Sequence, residues 1–528
     1  MAYEMTLHNE GTERPAIVRD EIDIRARGAR KMPATETAKP VPFLIGGEWI
    51  EDTSSYITHV NPATGEVNYK VCAGTEAHID AAVKSAHEAA RKPAWRNMLP
   101  HNRALLLNRI ADLMLERSDL LARSQMLENG KVWKECKNQV INGAATFRYC
   151  AAAIETLGSE ITPSRGNYLN MTVYEPWGVV AAITPWNSPI TLSCNKIAAA
   201  LAAGNGVVVK PSSYTPTSGI ELGRIALDAG VPPGVMNVVP GAGGKIGDAL
   251  VNHPLVRMVS FTGGTEVGRR ISELCGRKII PAVLELGGKS PHIIFADADL
   301  NAAADAATVA IFEGTGQSCT AGSRLFVERK VYDQVISMIM ERMRSLRVDL
   351  PDAPGAQLGP SASFAQREFV EKMVDDARAE GAEILIGGKR PSEERLAKGA
   401  FYLPTIVAGI TNQSYIAQQE IFGPVLCAMP FDNEEDLMQQ ANDIPYGLAS
   451  GIWTADYKRA WRVARALEAG IVWINTYKQF STAAPFGGFK DSGLGREKGL
   501  QGIRTYQQVK TLFWSMSDNF DGGFSIAK

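Results

Sequence analysis

The sequence predicts an α/β fold, and three observations carry that expectation. Runs that are apolar at every position, such as Val179-Val-Ala-Ala-Ile183 and Val207-Val-Val209, alternate with helix-like stretches. Strands buried on both faces and joined by crossover helices read this way. Apolar residues recur at helical spacing over residues 76–124 and 140–154. Between these regions the period drops to two. Tyr168, Asn170, Thr172 and Tyr174 alternate with Leu169, Met171 and Val173, as in an exposed two-sided β-ribbon.

Taken in order, Phe43-Leu-Ile-Gly-Gly-Glu-Trp49 reads as a short strand with a glycine turn, and Asn61-Pro-Ala-Thr-Gly-Glu66 as a tight polar turn. In the helical region Ile79, Ala82, Val83 and Ala86 share one face, followed by Leu105, Leu106, Ile110 and Leu113. After Gly178 the strand-like runs are Val179-Val-Ala-Ala-Ile183, Val207-Val-Val209, Met236-Asn-Val-Val239 and Met258-Val-Ser-Phe261, with a helix-like segment at 246–251. That is a doubly wound nucleotide-binding pattern. A second α/β stretch starts near Ser290 with Pro291-His-Ile-Ile-Phe295. It continues through a helix over 331–346 to Ile452-Trp453 and Ile471-Val-Trp-Ile474.

The 528 residues exceed one ordinary core, so two or three domains are expected. A net charge of −2 gives no reason for nucleic acid or an anionic membrane as partner. Seven scattered cysteines, never spaced C-x-x-C, predict free thiols in a reducing, cytoplasmic setting rather than disulfides or zinc. The histidines do not cluster at ligand spacing, so no metal is expected, and no apolar run is long enough for a membrane span. Residues 1–40 mix seven acids with seven Lys/Arg and lack an apolar centre. They read as a polar extension, not a secretory or transit signal.

Chemistry concentrates in Phe312-Glu-Gly-Thr-Gly-Gln-Ser-Cys-Thr-Ala-Gly322, where small and turn-forming residues surround Cys319. Such a loop can present a thiolate to an electrophile; it also suits a small buried thiol. Asn187 follows a buried strand in Thr184-Pro-Trp-Asn-Ser-Pro189, where its amide could meet an oxyanion or simply close a turn. Glu285, between two leucines and before Gly287-Gly288, fits a base of raised pKa or a solvent-facing strand residue. In Phe261-Thr-Gly-Gly-Thr-Glu-Val-Gly268, Gly263, Gly264 and Gly268 open a helix whose N–H groups could hold a phosphate.

Trp186-Asn187, Lys210-Pro-Ser-Ser213, Phe261-Thr-Gly-Gly264, Glu285-Leu-Gly-Gly288, Gly316-Gln-Ser-Cys319, Glu420-Ile-Phe-Gly-Pro424 and Pro485-Phe-Gly-Gly-Phe-Lys-Asp-Ser-Gly493 occur in that order. This series, spread from Phe43 to Trp514, resembles the NAD(P)-dependent aldehyde dehydrogenase superfamily, in its non-acylating, hydrolytic branch. The resemblance implies a Rossmann-type cofactor domain (43–157 and 177–287) and an α/β catalytic domain (288–490). It also implies a β-ribbon oligomerisation arm with a C-terminal segment (158–176 and 491–528), leaving 1–42 as the extension. Self-association as a homodimer or homotetramer follows from it.

The same resemblance implies that Cys319 attacks an aldehyde, that Asn187 and the Cys319 N–H hold the oxyanion, and that Glu285 activates water against the thioester. Lys196 and Glu497 match a proton relay from Glu285. Glu420 would bind the nicotinamide ribose, Phe422 would support the ring, Lys210 and Ser213 would flank the adenosine ribose, and Trp186 would line the cofactor channel. Ser188, Leu192, Asn195, Phe480 and Phe486 would line the aldehyde tunnel, with Lys478 near its mouth. Small polar residues at 188 and 195 suggest a wide tunnel and a bulky, aromatic or semialdehyde-type substrate. Two positions depart from the usual pattern. Gln419 precedes Glu420, and Ser213 stands where many relatives carry Glu, which predicts that NADP+ is accepted alongside NAD+. The competing readings are a cofactor-independent cysteine esterase and a catalytically silent homologue.

Overall fold

A computed structural model of the protein describes residues 39–518. Most of the expected N-terminal extension and the last ten residues of the C-terminal segment lie outside this range. The first sheet has eight strands, in the order Glu48–Ile50, Phe43–Ile45, Met236–Val238, Gly206–Lys210, Val179–Ile183, Val256–Thr262, Ala282–Glu285 and Gly493–Leu494. Its five central strands are parallel. Phe43–Ile45 and Gly493–Leu494 close the two sides in antiparallel register. Val179, Val180, Val207, Val208 and Val209 are fully buried, because helices cover both faces.

A seven-stranded sheet follows, ordered Glu383–Ile386, Thr405–Ala408, Val425–Phe431, Arg324–Glu328, Pro291–Ile294, Ala449–Trp453 and Ile471–Ile474; only the first strand is antiparallel. A third sheet is the ribbon Tyr168–Pro176, flanked by Ile161–Thr162 and by Gln507–Ser515. Gln507 lies opposite Pro176 and Ser515 opposite Tyr168. The period-two pattern of the ribbon thus becomes a strand that is half-buried along most of its length.

The helical region over 76–124 departs from a continuous reading. It is four helices, Glu76–Arg91, Pro93–Arg96, Pro100–Glu116 and Ser118–Asn129. Pro93 and Pro100 sit at first helical positions, where a missing N–H costs nothing. Ile79, Ala82, Val83 and Ala86 pack in the core beneath the first sheet. Leu105, expected on the apolar face, is 66% exposed; Leu107, Ile110, Ala111 and Met114 form the buried stripe instead.

In the first sheet the chain order runs outward in both directions from Val179–Ile183 and Val256–Thr262. That reversal is the switch point, where crevices at the carboxyl ends of strands receive ligands. The segments that follow these strands begin at Thr184 and Gly263, and Glu285 ends the next strand.

Candidate active site

Two loops are tied together at the switch point. Asn129, buried at the end of its helix, donates through Nδ2 to the carbonyls of Trp186 (3.1 Å) and Asn187 (3.3 Å). Asn187 donates its own Nδ2 to the Gln317 carbonyl at 3.1 Å, which anchors it to the cysteine loop. That loop turns through Gly314, Thr315 and Gly316, at φ +68°, +58° and +69°. A Cβ on Gly316 would collide with the Gly423 carbonyl, so this position needs glycine for both its backbone angle and its contact. Behind the thiol, Tyr477 donates its hydroxyl to the Thr320 carbonyl at 3.0 Å.

All seven cysteines are free, and six are buried; only Cys319 is partly open to solvent. Its sulfur still lies among dense surroundings. Burial, followed by the Glu420 and Glu285 carboxylates, pushes its thiol up to about 12, against a smaller lowering by its own N–H and by Lys498. Burial thus favours the protonated thiol over the thiolate.

Glu285 is 3% exposed, and neither carboxylate oxygen has a hydrogen-bond partner. Burial, then the charge of Glu497, holds its pKa well above the usual carboxylate range; Lys196, Arg496 and Lys498 oppose that rise. Lys196 and Glu497 form a fully buried ion pair. Lys196 Nζ also donates to Ser260 Oγ at 3.2 Å, Ser260 Oγ donates to Glu497 Oε1 at 3.4 Å, and Tyr506 OH donates to Ser260 Oγ at 2.8 Å. Glu497 Oε2 stays without a partner. Glu497→Ala would strand the Lys196 ammonium in the interior, at a cost of about 3–5 kcal/mol. Denaturant unfolding is expected to show that loss, and Glu497→Gln, which keeps an acceptor but not the counter-charge, should recover only part of it.

An open cleft of about 660 Å³ is lined by Gly264, Thr265, Glu266, Gln419, Glu420 and Asp491, among others. Glu420 accepts the Gly288 N–H at 2.9 Å, and burial raises its carboxyl to about 7. Phe422 adopts φ +53° and meets Trp186 edge-on, with ring centroids 5.2 Å apart. Lys210 is buried, which lowers its pKa to about 8, and its ammonium reaches only the Pro211 carbonyl, at 3.3 Å. Two of its three donors await acceptors. Ser213 donates its hydroxyl to the Gly241 carbonyl at 3.0 Å, leaving its oxygen free to accept. The carboxylate of Glu420, the Trp186–Phe422 aromatic pair and the under-used Lys210 ammonium suit the charged and aromatic parts of a dinucleotide.

The glycine turn before helix Thr265–Lys278 differs in detail from expectation. The Gly263 N–H donates to the Glu285 carbonyl at 3.1 Å, and the Gly268 N–H is spent inside the helix on Gly264. A Cβ on Gly268 would collide with Leu286, so its role is packing. The helix has no side-chain cap, so the Gly264 end and its first turn supply whatever donors meet a phosphate.

The expected substrate residues divide. Ser188, Leu192 and Asn195 sit together at the start of helix Pro189–Ala202, which also carries Lys196. Ser188 accepts from Gln139 Nε2 at 3.2 Å, and Asn195 accepts from Thr146 Oγ1 at 3.4 Å. Phe480 is 52% exposed and Phe486 8%, with centroids 6.2 Å apart. Lys478 does not fit the part of a tunnel-mouth anchor. Its ammonium donates to the Val309 (3.2 Å) and Glu313 (3.3 Å) carbonyls and pairs with the Glu313 carboxylate. All three donors are spent on the end of helix Leu300–Phe312. Ser260, Tyr506, Gln139 and Asn129 escaped the sequence reading, because ordinary polar residues far apart in the chain carry no motif.

A family model described as the aldehyde dehydrogenase family matches residues 49–512. Aldehyde dehydrogenase 1A1 of Gallus gallus is 41% identical over 478 residues, covering 90% of this chain and 93% of that protein. Among solved structures, an aldehyde dehydrogenase from Bacillus cereus in its NAD+ complex superposes with a TM-score of 0.88 at 38% identity, over 90% of this chain and 97% of that one. A betaine aldehyde dehydrogenase from Staphylococcus aureus in complex with NAD+ gives 0.90 at 35% identity, over 92% and 97%.

Proposed function

The chain belongs to the aldehyde dehydrogenase family, and from that premise we propose that it oxidises an aldehyde to the carboxylic acid through a covalent bond to Cys319, with Glu285 as the base of hydrolysis. The observation that carries this reading is the convergence of one half-open thiol and one buried, unpartnered carboxyl at the switch point. Cys319 loses its proton to water in the cleft, and the thiolate adds to the carbonyl carbon. The Cys319 N–H and the second N–H of the Asn187 amide stabilise the resulting oxyanion. When bound, a nicotinamide dinucleotide supplies the acceptor for the two-electron oxidation that turns the thiohemiacetal into a thioester. Trp186, Lys210, Ser213, Glu420 and Phe422 would hold it. Ionised Glu285 then takes a proton from water, hydroxide adds to the thioester carbon, and the thiolate leaves. The Lys196–Glu497 pair carries the proton onward, its free Glu497 oxygen serving as acceptor.

NADP+ is accepted in this reading, because residue 213 presents a neutral oxygen where a carboxylate would repel a 2′-phosphate. Ser213→Glu is expected to shift the ratio of kcat/KM for the two cofactors toward NAD+ by at least about tenfold. A wild type that ignores NADP+, or an unchanged ratio in the variant, would refute this role for Ser213. The small polar pair Ser188 and Asn195 supports a wide tunnel, so benzaldehyde should be turned over better than acetaldehyde in a side-by-side assay. Exposed Val509, Phe513 and Trp514 on the strand Gln507–Ser515 support self-association of the ribbon.

A further inference from the structure

Lys498 stands directly after the relay glutamate, on backbone held at φ +59°. Its ammonium lies 5.3 Å from the Phe480 ring centroid and 5.4 Å from that of Phe486. The other basic groups of this neighbourhood are committed. Lys196 is neutralised by Glu497, Lys478 by Glu313, and Arg496 donates to the Gly488 and Gly495 carbonyls. Among the described residues Lys498 has no hydrogen-bond acceptor and no ion pair, although it is half-buried. Burial lowers its pKa, and negative charge on Glu497, Cys319 and Glu285 opposes that lowering. Two aromatic faces attract a cation but accept no directed hydrogen bond from its three N–H groups. The aldehyde group is neutral and Glu497 is already paired with Lys196, so the direct partner that Lys498 lacks can arrive with the substrate.

We propose that Lys498 pairs with an anionic group on the substrate between Phe480 and Phe486, so that the enzyme prefers aldehydes that carry a carboxylate. The inference rests on the aldehyde dehydrogenase reading of Cys319. It explains why a lysine follows Glu497 beside the rings of Phe480 and Phe486. The carboxylate accepts one or two charge-assisted hydrogen bonds while an aromatic or aliphatic linker stacks on the rings. Electrostatic preference of this kind separates substrates that differ only in charge.

The test uses the full chain as wild type, Lys498→Met and Lys498→Arg. With 4-carboxybenzaldehyde against benzaldehyde, the ratio of kcat/KM values should favour the acid in wild type, fall at least about tenfold in Lys498→Met, and largely survive in Lys498→Arg. In parallel, without cofactor, Cys319 is alkylated by iodoacetate and by iodoacetamide. Both reagents attack the same thiolate, so a change in thiol acidity cancels in their rate ratio and only attraction of the anion remains. That ratio should also fall about tenfold in Lys498→Met. Equal losses for both aldehydes would overturn the proposal and make the lysine a stabiliser of the thiolate. So would a wild type indifferent to the carboxylate, or an unmoved alkylation ratio. A fallen alkylation ratio in a protein that oxidises neither aldehyde would uphold the anion site and refute the dehydrogenase reading instead.

Discussion

Cys319→Ala is expected to lower kcat/KM for any aldehyde by about 10⁴-fold or more while leaving dinucleotide binding within about 1 kcal/mol of wild type. The asymmetry follows from what the sulfur does and what it does not hold. In the proposed mechanism the reaction runs through a C–S bond, and Cys319 is the one cysteine among the described residues that is not fully buried. The loop itself is shaped by the positive φ angles of Gly314, Thr315 and Gly316, by the close contact of Gly316 with Gly423, and by the Asn187–Gln317 hydrogen bond. None of these involves the thiol. Initial rates of NAD(P)H formation and a fluorescence titration of the cofactor measure the two halves separately. Retained turnover would end the covalent mechanism, whereas lost cofactor binding would show that the thiol organises the cleft.

Glu285→Gln should release one equivalent of NAD(P)H in a pre-steady-state burst and then turn over some 10²–10⁴-fold more slowly than wild type, because acylation outruns hydrolysis. Gln keeps the volume of a fully enclosed side chain but cannot take a proton. The pH dependence has a definite sign. Burial and the charge of Glu497 raise the Glu285 pKa, so at low pH the group is protonated and cannot act as base. Wild-type kcat therefore rises with pH as Glu285 ionises, and the variant loses that rising limb. Stopped-flow absorbance with a pH series checks both points. A slow first turnover without a burst would move the role of Glu285 to an earlier step.

The parts of the fold that were legible in the sequence are those whose surroundings are uniform. Val179–Ile183 and Gly206–Lys210 are covered on both faces, so apolar character at every position was enough. The ribbon Tyr168–Pro176 is half-exposed on both faces, and its period of two showed that. What escaped depends on partners distant in sequence. The short strand Gly493–Leu494 has no pattern of its own and is defined by pairing with Leu284 and Glu285. Ser260 and Tyr506 look like any serine and tyrosine until Ser260 meets Lys196 and Glu497, and Tyr506 meets Ser260. The partners of Lys478 escaped as well, because two carbonyls at a helix end have no side-chain signature. Lys498 escaped for the opposite reason. Its significance is a missing partner, which only a three-dimensional census reveals.

The Lys196–Glu497 pair spans 301 residues, and the edge strand beside Glu285 comes from residues 493–494. Polypeptides emerge from the ribosome at about 5–20 residues per second, so Lys196 waits roughly 15–60 s for its counter-charge. During that interval the parallel strands can pair, but the edge at Ala282–Glu285 remains open and a cation of the future interior stays solvated. The ribbon waits as well, since Tyr168–Pro176 finds its long neighbour only in Gln507–Ser515. Such late, long-range closure slows folding and exposes unpaired edges to aggregation. A nascent chain thus holds Cys319 well before it holds the ion pair and edge strand that complete the surroundings of Glu285.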